Sequence, residues 1–231
     1  MPAKGSIKQY TEGGYYHAYN RGVERRRIFL DDQDYRVFLH LLKFYLSPAA
    51  DFEKHPLLEI TGFSPVRARP LEPLYQKVDL ICYCLMPNHF HLLIKQTEKD
   101  GMEKLLRRLL TSYVMYFNRR YDRIGHLFQG TYKAMLVDTD EKLLHLSRYI
   151  HQNPTFTRGY LDQYPYSSYP YFIGESRSDW LKIEPILSFF RTPKTDKLRQ
   201  LRREFRNYKE FVENSNEEPE KTLGKLVIEK D

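Results

Sequence analysis

Apolar positions recur along this chain in two periods, and the alternation between them lays out the elements. Gly14 to Gly22, with Tyr15-Tyr16-His17-Ala18-Tyr19-Asn20 inside it, is short and aromatic and predicts an opening strand. Asp31 or Asp32 then caps a helix to about Ser47, with Tyr35, Phe38, Leu39, Leu42 and Tyr45 at helical spacing, and Pro48 ends it. Pro48 to Pro73 holds five prolines and few apolar repeats, which predicts an irregular excursion. Lys77 to Met86 is an apolar strand, Pro87-Asn88 a turn, and His89 to Gln96 a second strand, the pair resembling a hairpin. Met102 to Tyr121 is a long helix with Leu105, Leu106, Leu109, Leu110, Tyr113 and Phe117 on its apolar side. Gly125 to Val137 is extended and interrupted at Gly130. Asp138 or Asp140 caps a further helix to about Gln152, which Asn153-Pro154 ends because proline disfavours helix just before it. Tyr160 to Phe172 is a Tyr/Pro/Ser loop, and Trp180 to Phe190 and Lys197 to Phe211 are helical. Strands broken by helices, with hairpin-like neighbours, predict an α+β fold over an antiparallel sheet.

Composition narrows the class. The chain has 231 residues, 41% hydrophobic, enough for a core and too many for wholesale disorder. Only Cys82 and Cys84 occur as cysteines, so a disulfide scaffold is excluded and both are expected as buried thiols. No apolar run approaches the roughly 18 residues needed to span a bilayer. The opening residues lack a signal-like apolar stretch, and a soluble, cytoplasmic protein with no membrane partner is expected. Neither GxGxxG nor GxxxxGK[ST] is present, so no nucleotide cofactor is expected.

Net charge is +7, from 37 Lys and Arg against 30 Asp and Glu. Asn214 to Asp231 carries −2 and is expected to be a mobile acidic tail, leaving +9 on the remainder. The positive charge lies in Arg21 to Arg27, in Glu103 to Arg123 and in Lys194 to Lys209. Any one run reads as a solvated face. Three runs interleaved with tyrosines, of which the chain has 19, point toward a phosphate-binding surface and a nucleic-acid partner.

Two local patterns carry chemistry. In His89-Phe90-His91, strand parity puts both imidazoles on one face and Phe90, Leu92 and Ile94 on the other. That suits a pair of metal ligands, although the motif alone more often marks two unrelated histidines on a half-exposed strand. In Arg148-Tyr149-Ile150-His151-Gln152-Asn153-Pro154, Tyr149 and Asn153 stand four apart on a helix and share a face. A phenol beside a carboxamide oxygen results, against the plainer reading of a core tyrosine and a C-terminal cap. The phenol's ordinary pKa of about 10 makes it a poor nucleophile unless a cation stabilises the charge that develops. His151 falls on the far side of the helix wheel from Asn153 and is not expected on the same metal. Tyr113 is expected in the core, Tyr116 is a stacking candidate, His126 reads as a loop histidine, and His145 as a helix-surface one.

Taken together, Met86-Pro87-Asn88-His89-Phe90-His91-Leu92-Leu93-Ile94, Gly125-His126-Leu127-Phe128-Gln129-Gly130, Tyr149-Ile150-His151-Gln152-Asn153-Pro154 and the opening Tyr16-His17-Ala18-Tyr19-Asn20-Arg21-Gly22 resemble the single-tyrosine HUH transposases, and among them the REP-associated tyrosine transposases. The likeness spans roughly Gly14 to Phe190. It implies a ferredoxin-like central antiparallel sheet flanked by helices, the HUH endonuclease fold. It implies Tyr149 as the catalytic residue, cutting single-stranded DNA near hairpins through a 5′-phosphotyrosine link. His89, His91 and Asn153 are implied as ligands of Mg²⁺ or Mn²⁺. By donor chemistry alone, Zn²⁺ or Ni²⁺ would also suit them. The chain departs from the family in Thr155-Phe156-Thr157-Arg158-Gly159 and at Thr131, next to Tyr132-Lys133.

The resulting layout is a transposase domain over 1–175, a basic helical extension over 176–213 and the acidic tail over 214–231. Expected DNA contacts are Arg21, Arg107, Arg108, Arg119, Arg120 and Lys133. The partner is single-stranded or hairpin DNA, and the protein a monomer or homodimer. The competing readings are a domesticated hairpin-binding protein that does not cut, and a hydrolase using a metal-activated water with Tyr149 structural.

Overall fold

The computed structural model describes residues 10–48, 74–154, 160–215 and 218–227. The excursion expected over Pro48 to Pro73 and the run Thr155 to Gly159 lie almost wholly outside them. Four strands form one sheet: β1 (Tyr15–Arg21), β2 (Val78–Met86), β3 (His89–Gln96) and β4 (Lys133–Val137). Their order is β2-β3-β1-β4 with every pairing antiparallel. With α1 (Asp32–Leu46) between β1 and β2, and α2 (Gly101–Arg120) between β3 and β4, the topology is the expected ferredoxin-like one. Asp31 caps α1 by accepting from the Asp34 amide. The next helix, α3 (Asp140–Gln152), is capped by Thr139, which accepts from the Lys142 amide, and not by either flanking aspartate.

Register divides the side chains between two cores. Tyr16↔Ile94, Ala18↔Leu92 and Asn20↔Phe90 face one way, whereas His17↔Leu93, Tyr19↔His91 and Arg21↔His89 face the other. The first face packs on α1 and α2 through Phe38, Leu41, Leu105, Leu109 and Tyr113. The second packs on α3 through Leu143, Leu146 and Ile150. An irregularity in β2 at Ile81 keeps this division. Leu80 pairs with Ile94 on the first face while Cys82 pairs with Leu93 on the second, and both thiols are buried.

The C-terminal third is built around α3. The expected loop at Tyr160 to Phe172 contains a 3-10 turn and the short α4 (Tyr169–Phe172). The helix expected from Trp180 begins as α5 (Glu184–Arg191). The helix expected over Lys197 to Phe211 is two, α6 (Asp196–Glu204) and α7 (Tyr208–Glu213), because Asn207 caps a fresh start by accepting from the Glu210 amide. Ile186, Phe189 and Phe211 share one core with Ile150, so the packing does not break at 175. The tail reading is corrected for residues 218–227, where α8 (Pro219–Leu223) and a 3-10 turn, Gly224–Leu226, lie in that core. Leu223, Leu226 and Val227 are buried. Each such apolar side chain stabilises by about 1.5–3 kcal/mol, well above the effect of a surface charge imbalance.

A buried carboxylate ties α1 to α2. Asp34 is fully buried and accepts from Arg120 Nη1 (2.7 Å), the Tyr116 and Tyr121 hydroxyls (2.8 and 2.9 Å) and the Leu30 amide (2.8 Å). Arg120 also grips Asp31, its Nη2 2.6 Å from Oδ2. Two sequence expectations change here. Tyr116 is a buried anchor and not a stacking surface, and Arg120 turns its charge inward. Removing Asp34 would strand both hydroxyls, so Asp34→Ala is expected to lower the unfolding free energy by about 3 kcal/mol or more in urea titrations.

Candidate active site

The site forms where the start of β3 meets the end of α3. His89 and His91 stand on the α3 side of the sheet, as their parity requires, and their rings lie 5.0 Å apart. Tyr149 presents its ring edge-on to His91 at 5.5 Å and to His17 at 6.3 Å. One turn on, Asn153 keeps helical angles, and its Nδ2 donates to the Tyr149 carbonyl at 2.9 Å. That bond leaves Asn153 Oδ1 pointing at His89 Nε2, 3.5 Å away. The structure thus brings together all four expected residues, from within one chain.

The surroundings hold both imidazoles neutral. Burial lowers the His89 pKa, with a further contribution from the Arg21 charge. Burial pulls His91 well below the ordinary histidine value, helped by His89 and His17. His89 Nδ1 lies 2.7 Å from Asn88 Oδ1, and Asn88 Nδ2 donates to the Arg25 carbonyl. The His89 proton therefore sits on Nδ1, and its bare Nε2 faces the Asn153 carbonyl oxygen, acceptor against acceptor. His91 Nε2 is buried with no hydrogen-bond partner. Two imidazole nitrogens beside the Asn153 amide oxygen offer a donor set that fits a cation. Among the described residues no three of His, Cys, Asp and Glu form a metal-sized group, so such a ligand set needs the Asn153 carboxamide.

Residues 74–153 match the family model for IS200-like transposases. The matched span runs from β2 to the end of α3 and so contains His89, His91, Tyr149 and Asn153, bearing out the resemblance read from the motifs. The fold is also that of a solved REP-associated tyrosine transposase bound to a REP hairpin, at a TM-score of 0.50 and 14% identity, over 78% of this chain and 98% of that one. No curated protein matches the sequence. Among the described residues no helix is long and apolar enough to cross a membrane.

The expected DNA contacts separate onto two sides. Arg21, opposite His89 in the register, shares the site's face, and its Nε donates to Gln129 Oε1 at 2.9 Å. Lys133, opposite Tyr19, is on that face too and lies 5.8 Å from the Tyr19 ring centre. Arg107, Arg108, Arg119 and Arg120 belong to α2, across the sheet from Tyr149. There Arg107 and exposed His126 line an open groove of about 780 Å³ with Thr111, Met115 and Tyr132.

Two other histidines are structural. His145, expected at the surface, is buried edge-on against Phe211 because α7 covers that side of α3. His151 points away from the site, as its helix position requires. Its Nδ1 and Nε2 lie 2.7 Å from the Tyr208 hydroxyl and 2.8 Å from Ser168 Oγ, pinning α3 to α7 and to the loop before α4. Sequence reasoning assigned no role to His17, although strand parity places it on the histidine face.

Burial lowers the His151 pKa from the ordinary 6.5 to about 3. As pH falls below 6.5 the unfolded chain takes up this proton first, so the stability present at neutral pH is lost on the way down to about 3. Between pH 7 and pH 5 the loss from this residue is expected to be about 2 kcal/mol. Urea titrations of the parent and of His151→Gln at both values check it, the variant showing the shallower fall.

Proposed function

We propose that the protein is a metal-dependent single-strand DNA endonuclease and transesterase that cuts and rejoins DNA beside hairpins through Tyr149. The observation that carries this reading is the convergence of the bare His91 Nε2, the His89–Asn153 pair and the Tyr149 ring at one end of the sheet. His89, His91 and Asn153 would hold Mg²⁺ or Mn²⁺, which when bound withdraws charge from the scissile phosphate. The Tyr149 oxygen forms a bond to phosphorus as the bond to the 3′ oxygen breaks. The phenol gives up its proton and the departing oxygen gains one, so a 5′-phosphotyrosine and a free 3′-hydroxyl result. Ester is exchanged for ester, and the reverse attack rejoins DNA without a nucleotide energy source.

The rest of the site serves position and charge. Helix α3 is clamped from behind by His151, so Tyr149 approaches the phosphate from a rigid element. Arg21 and Lys133 flank the site and suit the phosphates of the strand being cut. Arg107, Arg108 and Arg119, across the sheet, suit a duplex stem.

Labelled hairpin DNA incubated with the protein and Mg²⁺ or Mn²⁺ is expected to give a denaturant-resistant protein–DNA adduct that Tyr149→Phe abolishes. Cleavage that survives Tyr149→Phe with free 5′ ends favours a metal-activated water. Hairpin binding indifferent to EDTA, with no adduct under either metal, favours a domesticated binder.

Stem affinity is expected to fall with salt at about 0.9 log–log units per phosphate neutralised. Arg107→Ala and Arg119→Ala should each reduce that slope in binding titrations, whereas Arg120→Ala should leave it unchanged and reduce stability instead.

A further inference from the structure

His17 is fully buried in β1, on the face of the sheet that carries His89 and His91. Its ring lies nearly parallel to that of His91, with centroids 5.1 Å apart and planes inclined by 12°. Its Nε2 lies 2.9 Å from His91 Nδ1. Its Nδ1 lies 2.8 Å from the carbonyl oxygen of Leu226, 209 residues along the chain.

These contacts leave one arrangement of protons. A carbonyl oxygen only accepts, so His17 carries a proton on Nδ1. His17 is fully buried between a carbonyl and a second imidazole, where an uncompensated charge is costly, so the neutral ring holds that proton alone and Nε2 is bare. The proton between the two rings then belongs to His91 Nδ1. His91, neutral as well, is left with a bare Nε2, the buried atom without a partner in the site. The opposite tautomer would put an unsatisfied N–H at that point, and would aim a donor where a cation needs a lone pair.

We propose that His17 is a positioning residue for the active site: with the Leu226 carbonyl, it fixes the tautomer and ring orientation of His91, so that Nε2 is presented as a metal ligand. The proposal rests on the metal-dependent reading above. It adds to that reading a third histidine and a contribution from the C-terminal turn. Leu226 is well placed for this, being buried in the core that contains α3 and held in the Gly224–Leu226 turn. Outer partners of a ligating histidine commonly carry 10- to 100-fold of metal affinity.

The test uses the full chain labelled with ¹⁵N-histidine, first without metal. Long-range ¹H–¹⁵N spectra are expected to show His17 and His91 both protonated on Nδ1. Mn²⁺ binding is then followed through the electron paramagnetic resonance signal of the free ion. His17→Phe is expected to weaken it about tenfold or more. His17→Gln, whose amide offers one donor and one acceptor, should recover affinity to within about threefold. A parent chain with no Mn²⁺ affinity sinks the metal-dependent reading and the positioning role together. A parent that binds Mn²⁺ but carries the His91 proton on Nε2 overturns this inference alone, as does a His17→Phe chain that binds within about twofold of the parent. Should His17→Phe fail to give a dispersed spectrum, the parent tautomers and His17→Gln still decide.

Discussion

The two-residue period of the central strand pair, β1 against β3, is the constraint on which both cores and the site depend. Because side chains alternate across a pleated sheet, one register assigns Ala18, Phe90 and Leu92 to the α1–α2 layer and His17, His89 and His91 to the α3 layer. A slip of β3 by one position would put His89 and His91 into the α1–α2 core and move Phe90 to the α3 side. The cost of burying polar rings without partners therefore reinforces the register that the apolar face already selects. The irregularity at Ile81 shows the same constraint at work in β2, where the strand gains a residue and the division between faces survives.

Burial then determines what the polar groups can do. Deep in the sheet the imidazoles are neutral, so they contribute lone pairs and directed N–H bonds instead of positive charge. Across the sheet Asp34 takes the opposite course, its charge kept inside by Arg120 and two phenols. This is why one arginine of α2 differs in kind from its neighbours. Formal charge along a helix says where cations are, but only the third dimension shows which of them face solvent.

Much of this was legible in the chain. Strand parity in His89-Phe90-His91 and helix spacing from Tyr149 to Asn153 are local regularities, and local regularities survive folding. The sequence of elements predicted an α+β fold over an antiparallel sheet, and the family resemblance implied its ferredoxin-like form. The inward turn of Arg120, the burial of Tyr116 and the covering of His145 were not legible, since each depends on a partner tens of residues away with no periodic mark. Residues 218–227 were misread because their charge suggested solvent, while Leu223, Leu226 and Val227 were spaced too sparsely to announce a buried face. His17 sat within a recognised motif and shared the parity of the histidine pair. That shared parity was the available signal, and its contact with the Leu226 carbonyl was not.

The distance along the chain between His17 and Leu226 has a consequence for synthesis. The ribosome makes β1 among the first elements and the turn at Leu226 after α7, so from the moment Asn153 is made the nascent chain carries Tyr149, His89, His91 and Asn153 without the carbonyl that orients His91. Contacts of such long sequence separation also form late in folding, because loop closure must precede them. On the proposed function, the pocket at His91 would be finished only after the rest of the body is in place.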